Sequence, residues 1–258
     1  MSNAPLVALV TGASRGIGQG IAQALAVRGV RVAVHFHQQA AAAKRLADRL
    51  PGTGHHAFGA DLTDGAAIET LWKTVTARLG GIDIVINNAG VFIEHPPLTT
   101  DYATWQRIWQ ETIGTNLLGP ANLSVLAAQT MRMQPLRDGF GRGRIVNVTS
   151  RGAFRGEPDG PAYGASKAAF NSLGQSLAKA LAAHAIYVYS VAPGWVETDM
   201  AHSHLQGPEG AAILGQHPLG RINYVDEVAQ SVVYCALDAP AAMTGGIIDV
   251  NGASYLRS

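Results

Sequence analysis

The sequence predicts an α/β chain built on a doubly wound parallel sheet of about seven strands with helices on both faces. Three observations carry this. Short apolar runs of strand length alternate with longer helical stretches along the chain. The runs are almost uninterruptedly apolar, as in a sheet covered on both sides. The first run ends in a glycine-rich turn that opens a helix.

In order, Leu6–Thr11 reads as a buried strand ending at Gly12. A helix follows from Gly16 to Arg28, with Ile17, Ile21, Ala24, Leu25 and Arg28 at helical spacing. Val30–Phe36 reads as strand, Gln38–Leu50 as an alanine-rich helix and His55–Ala60 as a weaker strand. Thr63–Leu79 is a helix capped by Thr63 or Asp64. Ile82–Asn87 is a strand. Asp101–Met133 carries one long or broken helix, interrupted near Gly114 and Gly119-Pro120. Arg144–Thr149, Ile186–Val191 and Ile247–Val250 are the remaining strands, and Tyr163–His184 and Val225–Leu237 the remaining helices. Arg151–Ala162 and Thr198–Gly220 stay irregular, the length at which lids and binding loops occur.

Composition narrows the function. Of 258 residues, 47% are hydrophobic and only 14% charged, against ~25% in an average globular chain. Disorder is excluded, because it needs low hydrophobicity and high net charge. A net charge of +1 provides no field for nucleic acid. Mean hydropathy is +0.11, yet no run approaches ~18 uninterrupted apolar residues, so no membrane span is expected. The single cysteine, Cys235, can form no internal disulfide and is expected in the core; with no secretory signal visible, a cytoplasmic location is the expectation. The low charge needs another explanation. Asn122–Met133 and Ala168–Ala183 are apolar or small on more than one face, so burial on several sides is expected, against the sheet and against another subunit.

The turn Thr11-Gly12-Ala13-Ser14-Arg15-Gly16-Ile17-Gly18 lies between strand and helix, where backbone N–H groups and a helix N-terminus hold a pyrophosphate. Gly12 permits the turn, Gly16 the close approach of a phosphate, and Gly18 tight helix–sheet packing. Tyr163 and Lys167 are four apart on a helix and share a face. A tyrosine of pKa ~10 is a poor acid–base group at neutral pH; lowering it to ~7 takes about 4 kcal/mol, at ~1.36 kcal/mol per unit. The Lys167 ammonium, with any further cation bound beside it, is the expected source. Ser150 ends a strand, where active sites of parallel sheets lie. A Tyr-x-x-x-Lys pair alone is mostly a helix-surface pair, and a strand-end serine mostly a turn residue.

Read jointly, the glycine turn, Asp61, Asn87-Asn88-Ala89-Gly90, Asn116, Ser150, Tyr163-x-x-x-Lys167 and Pro193-Gly194 resemble, in order, the short-chain dehydrogenase/reductase family over nearly the whole chain. Ala192–Met200 and Asn251-Gly252 resemble its 3-oxoacyl-[acyl-carrier-protein] reductase branch. The resemblance implies one NAD(P)-binding Rossmann domain over 1–258. It also implies an oxidoreductase moving a hydride between nicotinamide and a carbonyl or secondary alcohol: a 3-oxoacyl thioester, ketone, sugar or similar. Asn116, Ser150, Tyr163 and Lys167 would be catalytic, Tyr163 exchanging the proton and Asn116 fixing a water between Lys167 and solvent. Asp61 would bond the adenine amine and Leu62 line its pocket. Asn88, Ala89 and Gly90 would run beside the adenosine ribose, Lys167 would hold the nicotinamide ribose, and Val196 and Thr198 would meet the carboxamide. Pro193 and Gly194, with Gly12, Ser14, Arg15, Gly16, Ile17 and Gly18, complete the cofactor site. A homotetramer is implied as well. A catalytically silent NAD(P)-binding sensor or scaffold on the same fold is the alternative.

The second strand ends Val34-His35-Phe36-His37-Gln38, without the carboxylate that would bond a ribose 2′-OH; with Arg15 nearby, this favours NADP(H) over NAD(H), His35 and His37 being counted with the cofactor site. The pairs His35/His37 and His202/His204 lack cysteines or clustered carboxylates at ligand spacing, so no metal is expected; His202 and His204 are alternatively substrate-facing. Arg151, Phe154, Glu157 and Trp195 either shape a substrate pocket or face solvent. Arg132–Gly143 and Phe92–Thr104 look long for the family. Arg132, Arg137, Arg142 and Arg144 are the candidates for a patch that docks an acidic carrier protein.

Overall fold

Four residues of strand β1, Val7–Val10, divide the molecule's core: Ala8 and Val10 face one hydrophobic layer, Val7 and Leu9 the other. The computed structural model describes residues 5–198, 201, 205–207 and 210–257. Its other strands are β2 (Arg31–Phe36), β3 (His56–Gly59), β4 (Ile84–Asn87), β5 (Gly143–Val148), β6 (Ile186–Pro193) and β7 (Ile247–Val250). All pair in parallel, in the order β3-β2-β1-β4-β5-β6-β7. The chain therefore leaves β1 in one direction for β2 and β3 and in the other for β4 to β7. The crevice at the C-terminal ends of β1 and β4 is where such sheets bind ligands.

Helices α1 (Gly16–Val27), α2 (Ala40–Arg49) and α9 (Val225–Val233) pack on one face through Ile21, Leu25, Leu46, Val228 and Val232. Helices α3 (Gly65–Leu79), α5 (Gly119–Met131) and α7 (Pro161–Leu181) cover the other through Ile68, Val75, Leu123, Ala127 and Ala178. Asp64 caps α3, its side chain accepting from the Ala66 N–H at 2.8 Å. The 101–133 stretch is not broken. α4 (Tyr102–Ile113) widens into a π-turn over Gly114–Leu118 and continues directly into α5, with Pro120 immediately after the widened turn. A second π-turn, Tyr234–Asp238, ends α9 and buries Cys235. The two irregular stretches each hold a short helix, α6 (Gly152–Arg155) and α8 (Gly210–Gly215). Among the described residues no helix is long and apolar enough to cross a membrane.

The 132–143 excursion is pinned, and most of its expected basic patch is spent inside the molecule. Arg137 pairs with Asp83 at 2.6 Å, and Arg142 donates to the Gln134 carbonyl. Arg144 is wholly buried. It donates to the carbonyls of Phe140, Gly139 and Cys235 and lies over the Phe140 ring, 5.0 Å from its centroid. Only Arg132 of the four remains exposed and unspent by such contacts.

Candidate active site

At the C-terminal edge of the sheet a cleft of about 710 Å³ runs from the β1–α1 turn to the segment after β5. Every residue assigned to cofactor binding from the sequence lines it: Gly12, Ser14, Arg15, Gly16, Ile17 and Gly18; His35 and His37; Asp61 and Leu62; Asn88, Ala89 and Gly90; Tyr163 and Lys167; and Pro193, Gly194, Val196 and Thr198. Ser150 lines it too, whereas Asn116 stands behind the wall. His202 and His204 lie outside the described residues.

The glycine turn is shaped by three constraints. Gly12 and Gly16 have φ of +60° and +55°, the left-handed region that side chains avoid. A Cβ on Gly18 would sit 2.3 Å from the Gly12 carbonyl oxygen and 2.6 Å from Asn88 Nδ2, so only glycine lets α1 start this close to β1 and β4. Asn88 ties the strands together, donating from Nδ2 to the Thr11 carbonyl at 2.9 Å, while the Thr11 hydroxyl accepts from the N–H groups of Asn88 and Ala89. No side chain caps α1, so its first-turn N–H groups are left to whatever fills the cleft. An open left-handed turn, an uncapped helix N-terminus and a cation, Arg15, form the donor set a pyrophosphate requires, and a dinucleotide fits it.

His35 lies beneath this cradle, 1% exposed. Its Nδ1 accepts the Gly12 N–H at 3.1 Å, which makes Nε2 the protonated nitrogen, donating to the Ala60 carbonyl at 3.1 Å. Burial lowers its pKa to about 4, so the ring is neutral. His35 thus acts as a brace from the phosphate turn to the loop holding Asp61. Asp61 Oδ1 accepts from the Thr63 N–H and hydroxyl at 2.9 and 2.8 Å, and these bonds, foremost the backbone one, depress its pKa. Its Oδ2 lies 3.7 Å from His37 Nε2.

At the other end, α7 presents Tyr163 and Lys167 to the cleft. The helix start is set by His95, a residue the sequence reading passed over. Its Nε2 accepts the Ala162 N–H at 3.2 Å, and it is 1% exposed. Ser150 Oγ accepts the Gly152 N–H at 3.0 Å, which leaves its proton for the Tyr163 oxygen. Phe92 stands edge-on to the Tyr163 ring at 5.2 Å. Lys167 Nζ donates to the Val148 carbonyl at 3.0 Å and lies 5.7 Å from the Tyr163 ring centroid; burial lowers its pKa to about 8. Asn116, in the π-turn, accepts the Val91 N–H at 2.8 Å and donates to the Val91 carbonyl and the Ser166 hydroxyl, joining the β4 end to α7.

The Tyr163 pKa runs opposite to the expectation for the ammonium. Burial raises it, the Ser150 bond offsets part of this, and Glu157 raises it further. The Lys167 ammonium is committed to the Val148 carbonyl and lies over the ring rather than at the phenol oxygen's hydrogen-bonding position. The protein alone therefore holds Tyr163 as a neutral phenol, the form that donates a proton. Glu157, with Arg155 and Phe92, belongs to this end of the cleft.

Fold and site together define a dinucleotide-binding oxidoreductase. A family model described as short chain dehydrogenase matches residues 6–209, and the chain belongs to that family, whose members act on CH–OH and C=O groups with NAD(P). It is 34% identical over 250 residues to the 3-oxoacyl-[acyl-carrier-protein] reductase FabG of Escherichia coli (strain K12), covering 97% of both chains. The protein of the same name from Staphylococcus aureus (strain Mu50 / ATCC 700699) is 33% identical over 251 residues, covering 96% of this chain and 98% of that one. Among solved structures it matches a Beutenbergia cavernae chain assigned provisionally as an NAD(P) dependent gluconate 5-dehydrogenase, with NADP bound at low occupancy. The TM-score is 0.84 at 29% identity, over 98% of each chain.

Proposed function

We propose that this chain is an NADP(H)-dependent carbonyl reductase or secondary-alcohol dehydrogenase in which Tyr163 exchanges the proton on the substrate oxygen. The supporting observation is that one cleft brings the glycine cradle and the Ser150–Tyr163–Lys167 set together. Bound there, the nicotinamide supplies or accepts the hydride. Ser150 and Tyr163 hold the substrate oxygen between their hydroxyls. Lys167 anchors the cofactor-side hydroxyls and adds positive charge behind the phenol. Asn116 keeps the Val91 backbone and α7 in register. Replacing Tyr163 with Phe removes the proton donor but no cradle contact; turnover should fall by roughly 10²–10⁴-fold, with NADPH binding retained by fluorescence titration. A near-normal rate in this variant rejects the assignment.

The NADP(H) preference rests on three features: no carboxylate at 34–38, exposed Arg15, and half-exposed His37 across from Asp61. The KM for NADPH against that for NADH is its measure, and a lower KM for NADH reverses it. We propose a homotetramer as well. The outer face of α7 is small and exposed at Ala165, Ala168, Ser172 and Ser176, and Leu118 and Val125 are exposed beside α5. A ~27 kDa species by sedimentation at micromolar concentration contradicts it.

A further inference from the structure

Beyond Ser150 the cleft wall gathers more positive charge than its fold contacts use. Arg151 follows Ser150 directly, Arg155 ends α6, and both line the cleft. Arg151 is 3% exposed, yet among the described residues its guanidinium bonds only neutral oxygens: Nη2 to Gln216 Oε1 at 3.0 Å and Nη1 to the Ser254 carbonyl at 3.5 Å. Arg155 Nη1 reaches the same Gln216 oxygen at 3.4 Å. Two guanidiniums thus form a fork around one amide oxygen. Burial, then the Arg155 charge, lower the Arg151 pKa to about 10. The described carboxylate that offsets them is Glu157, which pairs with Arg155 at 3.2 Å. Among the described residues the cluster therefore keeps one net positive charge.

Buried Arg144 shows what a purely structural guanidinium looks like here. Three carbonyls surround it, an aromatic ring covers it, and it does not line the cleft. Arg151 lines the cleft, has fewer acceptors and shares its best one with a second cation. That acceptor belongs to Gln216, just after α8. A guanidinium bonds a neutral amide oxygen more weakly than an anionic oxygen, because the second charge adds Coulombic attraction. The cluster also lies within electrostatic reach of the reacting phenol, because Glu157 acts on Tyr163.

We propose that the Arg151–Arg155 fork is the substrate's anion site. The preferred substrates are then carbonyl compounds, or the corresponding alcohols, that carry a carboxylate or phosphate. The anionic oxygen takes the place of the Gln216 oxygen while the carbonyl rests at Ser150 and Tyr163. This rests on the carbonyl-reductase reading given above.

The test uses the full-length enzyme with NADPH and matched pairs: 4-oxopentanoate and 6-oxoheptanoate against their methyl esters, and hydroxyacetone phosphate against hydroxyacetone. The charged member of at least one pair should show kcat/KM higher on the order of tenfold, chiefly through KM; the carboxylate and phosphate arms tell the two anions apart. Arg155→Met should bring that ratio toward one and Arg155→Lys should restore part of it, with melting temperature reporting that each variant is folded. Equal or better turnover of the neutral members in every pair overturns the anion site alone, as does a ratio that Arg155→Met leaves intact. If NADPH binds but no carbonyl in the panel consumes it, the carbonyl-reductase reading falls, and the anion site with it.

Discussion

The two ends of the cleft are built in different ways. The cofactor end is backbone: positive-φ glycines, an uncapped helix start and strand ends tied by Asn88 and Thr11. Its side chains, His35 above all, work from underneath. The end proposed for the substrate is side chain: Ser150, Tyr163, Glu157 and two arginines, carried on α6, α7 and the segments around them. The pyrophosphate is common to every dinucleotide, so backbone donors suffice for it. A particular substrate needs particular side chains.

Four experiments break or sharpen that contrast. The largest effect belongs to the chemistry: the Tyr163→Phe loss of turnover without loss of NADPH binding separates the two ends in one measurement. Next is the brace. Unfolded His35 titrates near 6.5 and folded His35 near 4. Between those values the unfolded chain binds the extra proton, so the stability this neutral ring provides is complete above about pH 6.5 and is lost as pH falls toward 4. At ~1.36 kcal/mol per unit the loss amounts to about 3 kcal/mol. Urea unfolding of the wild type and His35→Asn across that range should show the wild type losing more. Parallel curves would mean that the brace does not titrate with folding. Third, Gly18→Ala places a methyl against Gly12 and Asn88; overpacking of this kind costs about 1–3 kcal/mol. It should weaken NADPH binding while a thermal melt still shows a cooperative fold. The smallest effect is at the rim, where Arg15→Leu should raise the KM for NADPH about tenfold relative to NADH, the size of one exposed charge-assisted contact.

How far each end was legible follows from the same contrast. The β1–α1 turn and the α7 pair are local: the conformation of Gly12 to Gly18 and the shared helix face of Tyr163 and Lys167 are set by turn chemistry and helix period. The sheet was read strand by strand, and even the weak third strand is present at the edge. The 101–133 region was read as interrupted near Gly114 and Gly119-Pro120, where the chain instead absorbs one extra residue in a π-turn. Period alone does not distinguish a break from a widened turn. The arginine patch failed for a longer-range reason. Arg137 and Arg144 look like surface charge in sequence, yet their partners are Asp83, 54 residues away, and Cys235, 91 residues away. His95 was missed because nothing near it in sequence announces that it will accept the Ala162 N–H.

By itself, then, the sequence determined the parallel α/β architecture, the glycine turn between β1 and α1, and the placement of Tyr163 and Lys167 on one helix face, because alternating apolar runs, glycine at forced turns and i,i+4 spacing are properties of neighbouring residues. Tertiary structure alone decided the charges. It made His35 a neutral brace, left Tyr163 a phenol, and closed Arg144 inside a cage of carbonyls. It also set Arg151 and Arg155 around one oxygen at the mouth of the reaction site. Burial and partner choice fix a charge state, and both come from residues that only the fold brings together.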